Sequence, residues 1–378
     1  MATSSQVKLA VGIISIGDMG LGIARLLRHH DYTIYTVAKG RRQAPSKSTL
    51  IRAAQIVSLD SDEELVAESD IILSIVPPRD AIATAKRALI ACKNPEAIKR
   101  RSERKGTAVL GQAPSLTYID LNAISPRSAK TIAGLFTAEL SPPSPRRLSI
   151  TRSFSFRKNS QPEPDPIPIK YLDGGIIGGP PSLKQDQTWK RPSIVLSGPG
   201  ITDLLPDALI SLLNIKIVGA TIGPGSALKA CFASLTKGLT ALSILSFTTA
   251  QTAGVLPQLQ AHLKEYSPNT LALATGGLVG MPPKAYRWVD EMRQIGETFT
   301  EDGGFGHGIG GGQIYEGIAE IYKLIADDTV LGEERVEKRK RGTTAEDVAE
   351  CVKEGIARKK QKGSSDEDLD QAWRGRWS

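Results

Sequence analysis

Apolar residues are spaced in two distinct ways along this chain. Through the first half, short runs rich in Val, Ile, Leu and Tyr recur as KLAVGIISIG, YTIYTVA, QIVSL, DIILSIVPP and LTYIDLNAI. Between them, MGLGIARLLRHH, SDEELVAESD, RDAIATAKRALIA and SPRSAKTIAGLFTAEL return an apolar residue every three or four positions. The first spacing belongs to buried strands, the second to helices with one apolar face. Their alternation predicts crossover units and a mostly parallel sheet, and several strands are apolar on both faces, as burial between two helix layers requires. Strand signals resume in IKYLDGGIIGG, SIVLSG and NIKIVGATI and then stop. From Ser226 the run SALKACFASLTKGLTALSILSFTTAQTAG reads as one helix of about 28 residues, about 42 Å long. Beyond Lys237 it is uncharged all round, as a helix buried between subunits or domains would be. QLQAHLKEY, KAYRWVDEMRQIGETF, QIYEGIAEIYKLIADD and TAEDVAECVKEGIARKK add further helices, the last starting at Thr343 or Thr344 with Asp347 downstream.

Composition modifies this picture in one place. From Ser141 to Pro168 the chain is rich in Pro, Ser and Arg and poor in aliphatics, which predicts a disordered insertion in the sheet domain. The net charge of +8 raises nucleic-acid binding, but the basic residues between Lys86 and Lys105 and in PRRLSITRSFSFRK read as surface insertions rather than a recognition stripe. No nucleic-acid partner is expected. Cys92, Cys231 and Cys351 are too scattered for a disulfide framework or a zinc site, and the four histidines have no metal-ligand spacing. No stretch is long and uniformly apolar enough to span a bilayer, and the start of the chain lacks a cleavable signal pattern, so a cytoplasmic protein without a membrane partner is expected.

The candidate chemistry begins at GIISIGDMG. A dinucleotide-binding turn places glycines for a tight bend, for close approach to pyrophosphate and for helix–strand packing. Gly17 and Gly20 supply the second and third, while Ser15 stands at the first and fits if its φ is negative. Asp18 and Met19 open the following helix, whose N-terminal amides would hold phosphate. The second strand ends at Lys39, Gly40, Arg41 and Arg42 without the acid that would bind the ribose hydroxyls of NAD. A cationic cluster suits a 2′-phosphate, hence NADP in preference to NAD. Val76 and Pro77 end the fourth strand where a ligand crevice opens, and Asn122 follows the fifth, either to bind cofactor or substrate or to form a local turn. The glycine-rich segment around His307 reads as a connector or a mobile loop.

Taken in order, VGIISIGDMGLGIARLL, SDIILSIVPP, YIDLNAISP, YLDGGIIGGPP, VGATIGPGSALKACFASLTKG and YRWVDEMRQIGETF resemble the β-hydroxyacid dehydrogenase / 6-phosphogluconate dehydrogenase-like superfamily, 3-hydroxyisobutyrate dehydrogenase relatives included. The branch with a C-terminal domain of unassigned function is the nearest in pattern. The resemblance implies an N-terminal Rossmann domain over residues 1–222, holding the 141–168 insertion. A long connecting helix and an all-α substrate or dimerisation domain would follow over 223–350, then a helix end and polar tail over 351–378. It also implies hydride exchange between nicotinamide and a small-molecule substrate, and a homodimer formed through the C-terminal helices. The superfamily's lysine motif is occupied by Gly219, Thr221, Ile222, Gly223, Gly225 and Lys229, which makes Lys229 the implied general acid/base. Its substrate-facing S-G-G falls on Ile177, Gly178 and Gly179, its S-T on Asn122 and Ala123, and its asparagine after the lysine on Ala233. Gly178, Gly179 and Lys229 are therefore retained, while the serine and asparagine are lost. Burial and the helix N-terminus beside Gly223 to Gly225 would lower the pKa of Lys229 and attract an anionic substrate group, with Lys237 available eight residues on. An NADP-dependent dehydrogenase acting on a hydroxy acid or related carbonyl compound is the leading reading. Reduction of C=N bonds, or dinucleotide binding without catalysis, are the alternatives.

Overall fold

A computed structural model describes residues 9–37, 45–106, 114–140, 164–306, 308–334 and 339–362. The chain divides into two compact units, residues 1–230 and 231–378. The first is built on an eight-stranded sheet of order β10-β9-β6-β5-β4-β1-β2-β3. In chain order the strands are β1 (Val11–Ile14), β2 (Ile34–Val37), β3 (Val57–Leu59), β4 (Ile71–Ser74), β5 (Leu116–Asp120), β6 (Ile169–Ile177), β7 (Ser182–Leu183), β8 (Trp189–Lys190), β9 (Ser193–Ser197) and β10 (Ile215–Gly219). Neighbours from β3 through β6 are parallel. That order, 3-2-1-4-5-6, is the doubly wound dinucleotide-binding arrangement. β9 runs antiparallel to β6 because the chain returns through the β7–β8 hairpin instead of a crossover helix.

The first unit's helices are α1 (Asp18–His29), α2 (Pro45–Ala53), α3 (Asp62–Glu68), α4 (Ala81–Cys92), α5 (Pro95–Arg104), α6 (Pro126–Leu140), α7 (Ile201–Leu204) and α8 (Asp207–Leu212). Ile23 and Leu27 of α1 with Ile51 and Leu209 bury one sheet face, and Leu65, Leu89, Ile98, Ile132 and Phe136 bury the other. The basic stretch from Lys86 to Lys105 is not a surface insertion. It forms the end of α4 and all of α5, where Pro95 takes the first helical position and Asn94 Oδ1 accepts from the Glu96 and Ala97 amides. Its charges meet acids: Arg87 pairs with Asp62, Arg100 with Glu68, and Arg104 and Lys105 with Asp70. The core of the proposed 141–168 insertion, residues 141–163, lies outside the described residues.

Helix α9 (Pro224–Thr252) begins in the first unit and ends in the second. It lies against β6 by virtue of two glycines: a Cβ on Gly175 would stand 2.7 Å from Lys229 Cβ, and one on Gly225 would stand 2.8 Å from the Asp173 carbonyl oxygen. The second unit continues with α10 (Leu256–Tyr266), α11 (Pro268–Gly280), α12 (Ala285–Glu301), α13 (Gly311–Asp328) and α14 (Ala345–Lys362). Thr344 Oγ1 accepts the Asp347 amide at the start of α14, selecting Thr344 over Thr343 as its cap. By length and hydropathy α9 could cross a membrane. Its polar groups, however, are matched within the second unit: Lys237 is ion-paired with Glu291 over the Trp288 ring, and Ser234 hydrogen-bonds Tyr315. Such matching is that of a helix packed along one side against protein.

Candidate active site

The carboxyl ends of β1, β4, β5 and β6 lie side by side, and every first-unit position singled out in the sequence and described in the structure falls at or near this edge. In the β1–α1 turn Ser15 has φ +75°. The negative φ under which serine would fit does not hold; Ser15 adopts the left-handed conformation that glycine takes freely. Its carbonyl oxygen is where a Cβ on Gly20 would collide, at 2.5 Å, so Gly20 serves the close helix–strand contact. Gly17 is the N-cap of α1, and a Cβ there would have nothing within 4 Å, leaving open ground beside the helix amides. Asp18 is exposed in the first turn and Met19 is half-buried. Lys39, Arg41, Arg42 and His307 lie outside the described residues.

Asn122 is buried and fixed on three sides. Its amide nitrogen Nδ2 donates to Ser74 Oγ at 3.1 Å, its Oδ1 accepts the Val76 N–H at 2.6 Å, and its own N–H donates to Asp120 Oδ1 at 2.9 Å. It thereby ties the end of β4, with Val76 and Pro77, to the end of β5. Gly178 has φ +115°, and Gly179 stands open. Lys229, half-buried on the second turn of α9, donates from Nζ to the Ile176 carbonyl at 2.6 Å. Its amine is thus held at the carboxyl end of β6 rather than extended into solvent. Lys237 belongs to the second unit, with its ammonium on Glu291.

One expectation is overturned. The α9 N-terminus does not offer its amides to a substrate anion, because the protein fills that position itself. Asp173 Oδ2 accepts from Gly223 N, Ser226 N and Ser197 Oγ, its Oδ1 accepts from Ser226 Oγ at 2.5 Å, and Ser197 Oγ accepts from Gly225 N. A carboxylate here satisfies both the orphan amides and the helix dipole.

Asp173, Asp120, Ser74, Ser197 and Ser226 were not singled out by motif. In the sheet they form one row: Ser74, Asp120, Asp173 and Ser197 are successive in-register partners across β4, β5, β6 and β9. The available signal was an acid within each of two mainly apolar strands, at the end of β5 in YIDLN and in the middle of β6 in YLDGG. Burial pushes the Asp120 carboxyl up to about 7, with the Asp173 charge adding to the rise. Burial raises Asp173 as well, against the pull of its hydrogen bonds from Ser226.

Comparison with known proteins agrees with the motif order in both halves. Residues 10–98 match the family described as NADP oxidoreductase, coenzyme F420-dependent, and residues 250–325 match a domain of unknown function, DUF1932. The two models thus match separate stretches, one in each half of the chain. No curated protein sequence matches it. Among solved structures, a 3-hydroxyisobutyrate dehydrogenase from Mycobacterium tuberculosis, determined with L-serine, is similar with a TM-score of 0.55 at 15% identity, over 85% of this chain and 94% of that one. A conserved hypothetical protein from Sinorhizobium meliloti 1021 gives a TM-score of 0.54 at 17% identity, over 93% and 98%. A conserved protein of unknown function, itself described as similar to 3-hydroxyacid dehydrogenases, gives 0.51 at 21% identity, over 84% and 97%. At these identities the likeness is one of fold.

Proposed function

We propose that this chain is an NADP-dependent oxidoreductase that moves a hydride between nicotinamide and a hydroxy acid or related carbonyl compound, with Lys229 as the general acid/base. The observation that carries the reading is the Lys229 amine held on the Ile176 carbonyl, at the sheet edge where the glycine-bearing turn also opens. The turn fits a dinucleotide: open ground beside Gly17 admits pyrophosphate, and Gly20 lets α1 close on β1. The bound nicotinamide supplies or accepts the hydride. Lys229 delivers a proton to the carbonyl oxygen in reduction and removes it from the carbinol in oxidation. Asn122 acts by fixing Val76 in the cofactor-side wall, and Gly178 and Gly179 leave room for substrate beyond β6.

Two further parts belong to the proposal. The cation cluster Lys39, Arg41 and Arg42 selects the 2′-phosphate of NADP over NAD. A cytoplasmic homodimer forms through the second unit, where α9 exposes Leu235, Leu242 and Leu245. Reduction of C=N bonds is the second reading; Ile177 and Ala233, standing where the superfamily has substrate-binding serine and asparagine, weigh against the usual small β-hydroxyacid.

The test is nicotinamide absorbance across hydroxy acids, ketones and imines. Lys229→Ala is expected to lower turnover by about 10²-fold or more while NADPH still binds. NADPH binding without any Lys229-dependent turnover would instead mark a non-catalytic dinucleotide-binding protein. In fluorescence titrations the double variant Arg41→Ala/Arg42→Ala is expected to lose NADPH affinity and keep that for NADH; tighter NADH than NADPH binding by the unaltered protein would reverse the cofactor assignment.

A further inference from the structure

Buried acids are rare unless partnered by a cation, yet β5 and β6 carry two side by side. Asp120 and Asp173 are in-register neighbours on parallel strands, at 1% and 0% exposure. A strand spacing of about 4.8 Å brings their carboxyl groups into the range where two like charges cannot both persist. The two are unequal. Asp173 accepts from two backbone amides and two hydroxyls, a set that favours the carboxylate. Asp120 accepts one amide at Oδ1, and its Oδ2 is buried with no hydrogen-bond partner among the described residues.

Hydroxyl groups line the same face of the sheet. Tyr118 and Tyr171, two residues earlier on the same strands and the same face, bring buried hydroxyls that make no hydrogen bond of ordinary geometry, the first of them beside Ser74. From the packed helices the charged groups are Lys130 of α6, with Nζ at Gly223; Lys229 of α9, held on Ile176; and the mutually paired Arg87 and Asp62 of α4 and α3. Among the described residues no Lys, Arg or His donates to either carboxyl group.

We propose that Asp120 and Asp173 hold one proton for their two carboxyl groups, resting on Asp120, and that this proton keeps both walls of the crevice in place. Asp173 fixes the start of α9, which carries Lys229, and Asp120 fixes Asn122, which holds Val76 at the end of β4. Both are positioning residues; neither touches a reacting atom. With the proton on Asp120 the row carries one charge, already absorbed by the α9 amides. When that proton leaves, a second, uncompensated charge appears beside Asp173, and the hold of Asp173 on the start of α9 loosens. The functional meaning of the walls rests on the oxidoreductase reading; the proton and its structural effect do not.

The test uses the full chain without ligand. Infrared spectra recorded across pH are expected to contain the carbonyl band of a protonated carboxyl group that fades as pH rises through about 7, in line with the raised Asp120. Asp120→Asn removes the band. Asp173→Asn keeps it but moves its midpoint down by about one pH unit or more, because the neighbouring charge is gone; a folding defect alone would not move a midpoint. In parallel, the hydrogen-exchange protection factor of the Gly223 and Ser226 amides, which donate to Asp173, is expected to fall several-fold through the same pH range in the unaltered protein and stay level in Asp120→Asn. Absence of the band, or an unmoved midpoint in Asp173→Asn, overturns the shared proton. A band that titrates while protection stays level overturns the link to the walls. Neither readout involves cofactor, so failure here is separable from failure of the oxidoreductase reading.

Discussion

Ser15 and Asp120 are the two residues whose chemistry is most at odds with their surroundings. Ser15 holds a left-handed φ that costs an L-residue about 1–2 kcal/mol, partly offset because glycine would lose more chain entropy on folding. Ser15→Gly is therefore expected to raise stability by about 0.5–1 kcal/mol in urea denaturation; a loss would mean the hydroxyl holds the turn together. Asp120 makes stability depend on pH with a definite sign. Between about pH 4, where an unfolded carboxyl ionises, and about pH 7, where the folded one does, the unfolded chain binds fewer protons than the folded one. Stability should thus fall as pH rises through that window and level off above it, and Asp120→Asn should flatten the slope in a melting-temperature series. The candidate site was only partly legible at this scale. Gly17, Gly20, Asn122 and Lys229 announce themselves by motif position. Asp173 does not, because its role depends on a helix that starts 51 residues later in the chain, and only the folded sheet brings Gly223 and Ser226 to it.

Among the elements, α5 and α9 show how local sequence and tertiary contact divide the work. All eight strands of the main sheet were legible as apolar runs, most plainly β1, β4 and β5, which are buried on both faces and show no alternation. The helices α2, α7, α8 and α11 and the β7–β8 hairpin escaped notice: some are shorter than two turns, and α11 is nearly uniform in polarity, with only Ala274 and Leu278 buried. In α5 the charged sequence masks Arg101, which is wholly buried. Its guanidinium donates to the carbonyls of Val66, Ser69, Pro114 and Ser115, stitching the end of α3 to the entry of β5. Arg101→Met is expected to cost about 3 kcal/mol or more, read by chemical denaturation, because four carbonyls lose a charged donor. Arg101→Lys should recover only part of this, since an ammonium cannot span the same fork.

For the whole molecule, the charge map and the exposed face of α9 set the expected partners. The basic stretch that suggested nucleic acid is interleaved with Asp62, Glu64, Glu68 and Asp70, so it offers no continuous cationic track. On α9, Leu235 and Leu242 are 76% and 61% exposed and one heptad apart, with Leu245 at 50% beside them. Such a stripe is costly to leave in water. Sedimentation is expected to give a dimer that Leu235→Glu/Leu242→Glu converts to monomer; a monomeric parent at micromolar concentration would remove the stripe from the argument. The same face carries Cys231, exposed while Cys92 and Cys351 are buried. Maleimide should therefore label one thiol per chain, four residues before Leu235, and do so more slowly as protein concentration rises. Nature has left a ready attachment point on the helix that bears Lys229, so a fluorophore placed there can time how fast two copies meet and part without any engineered residue.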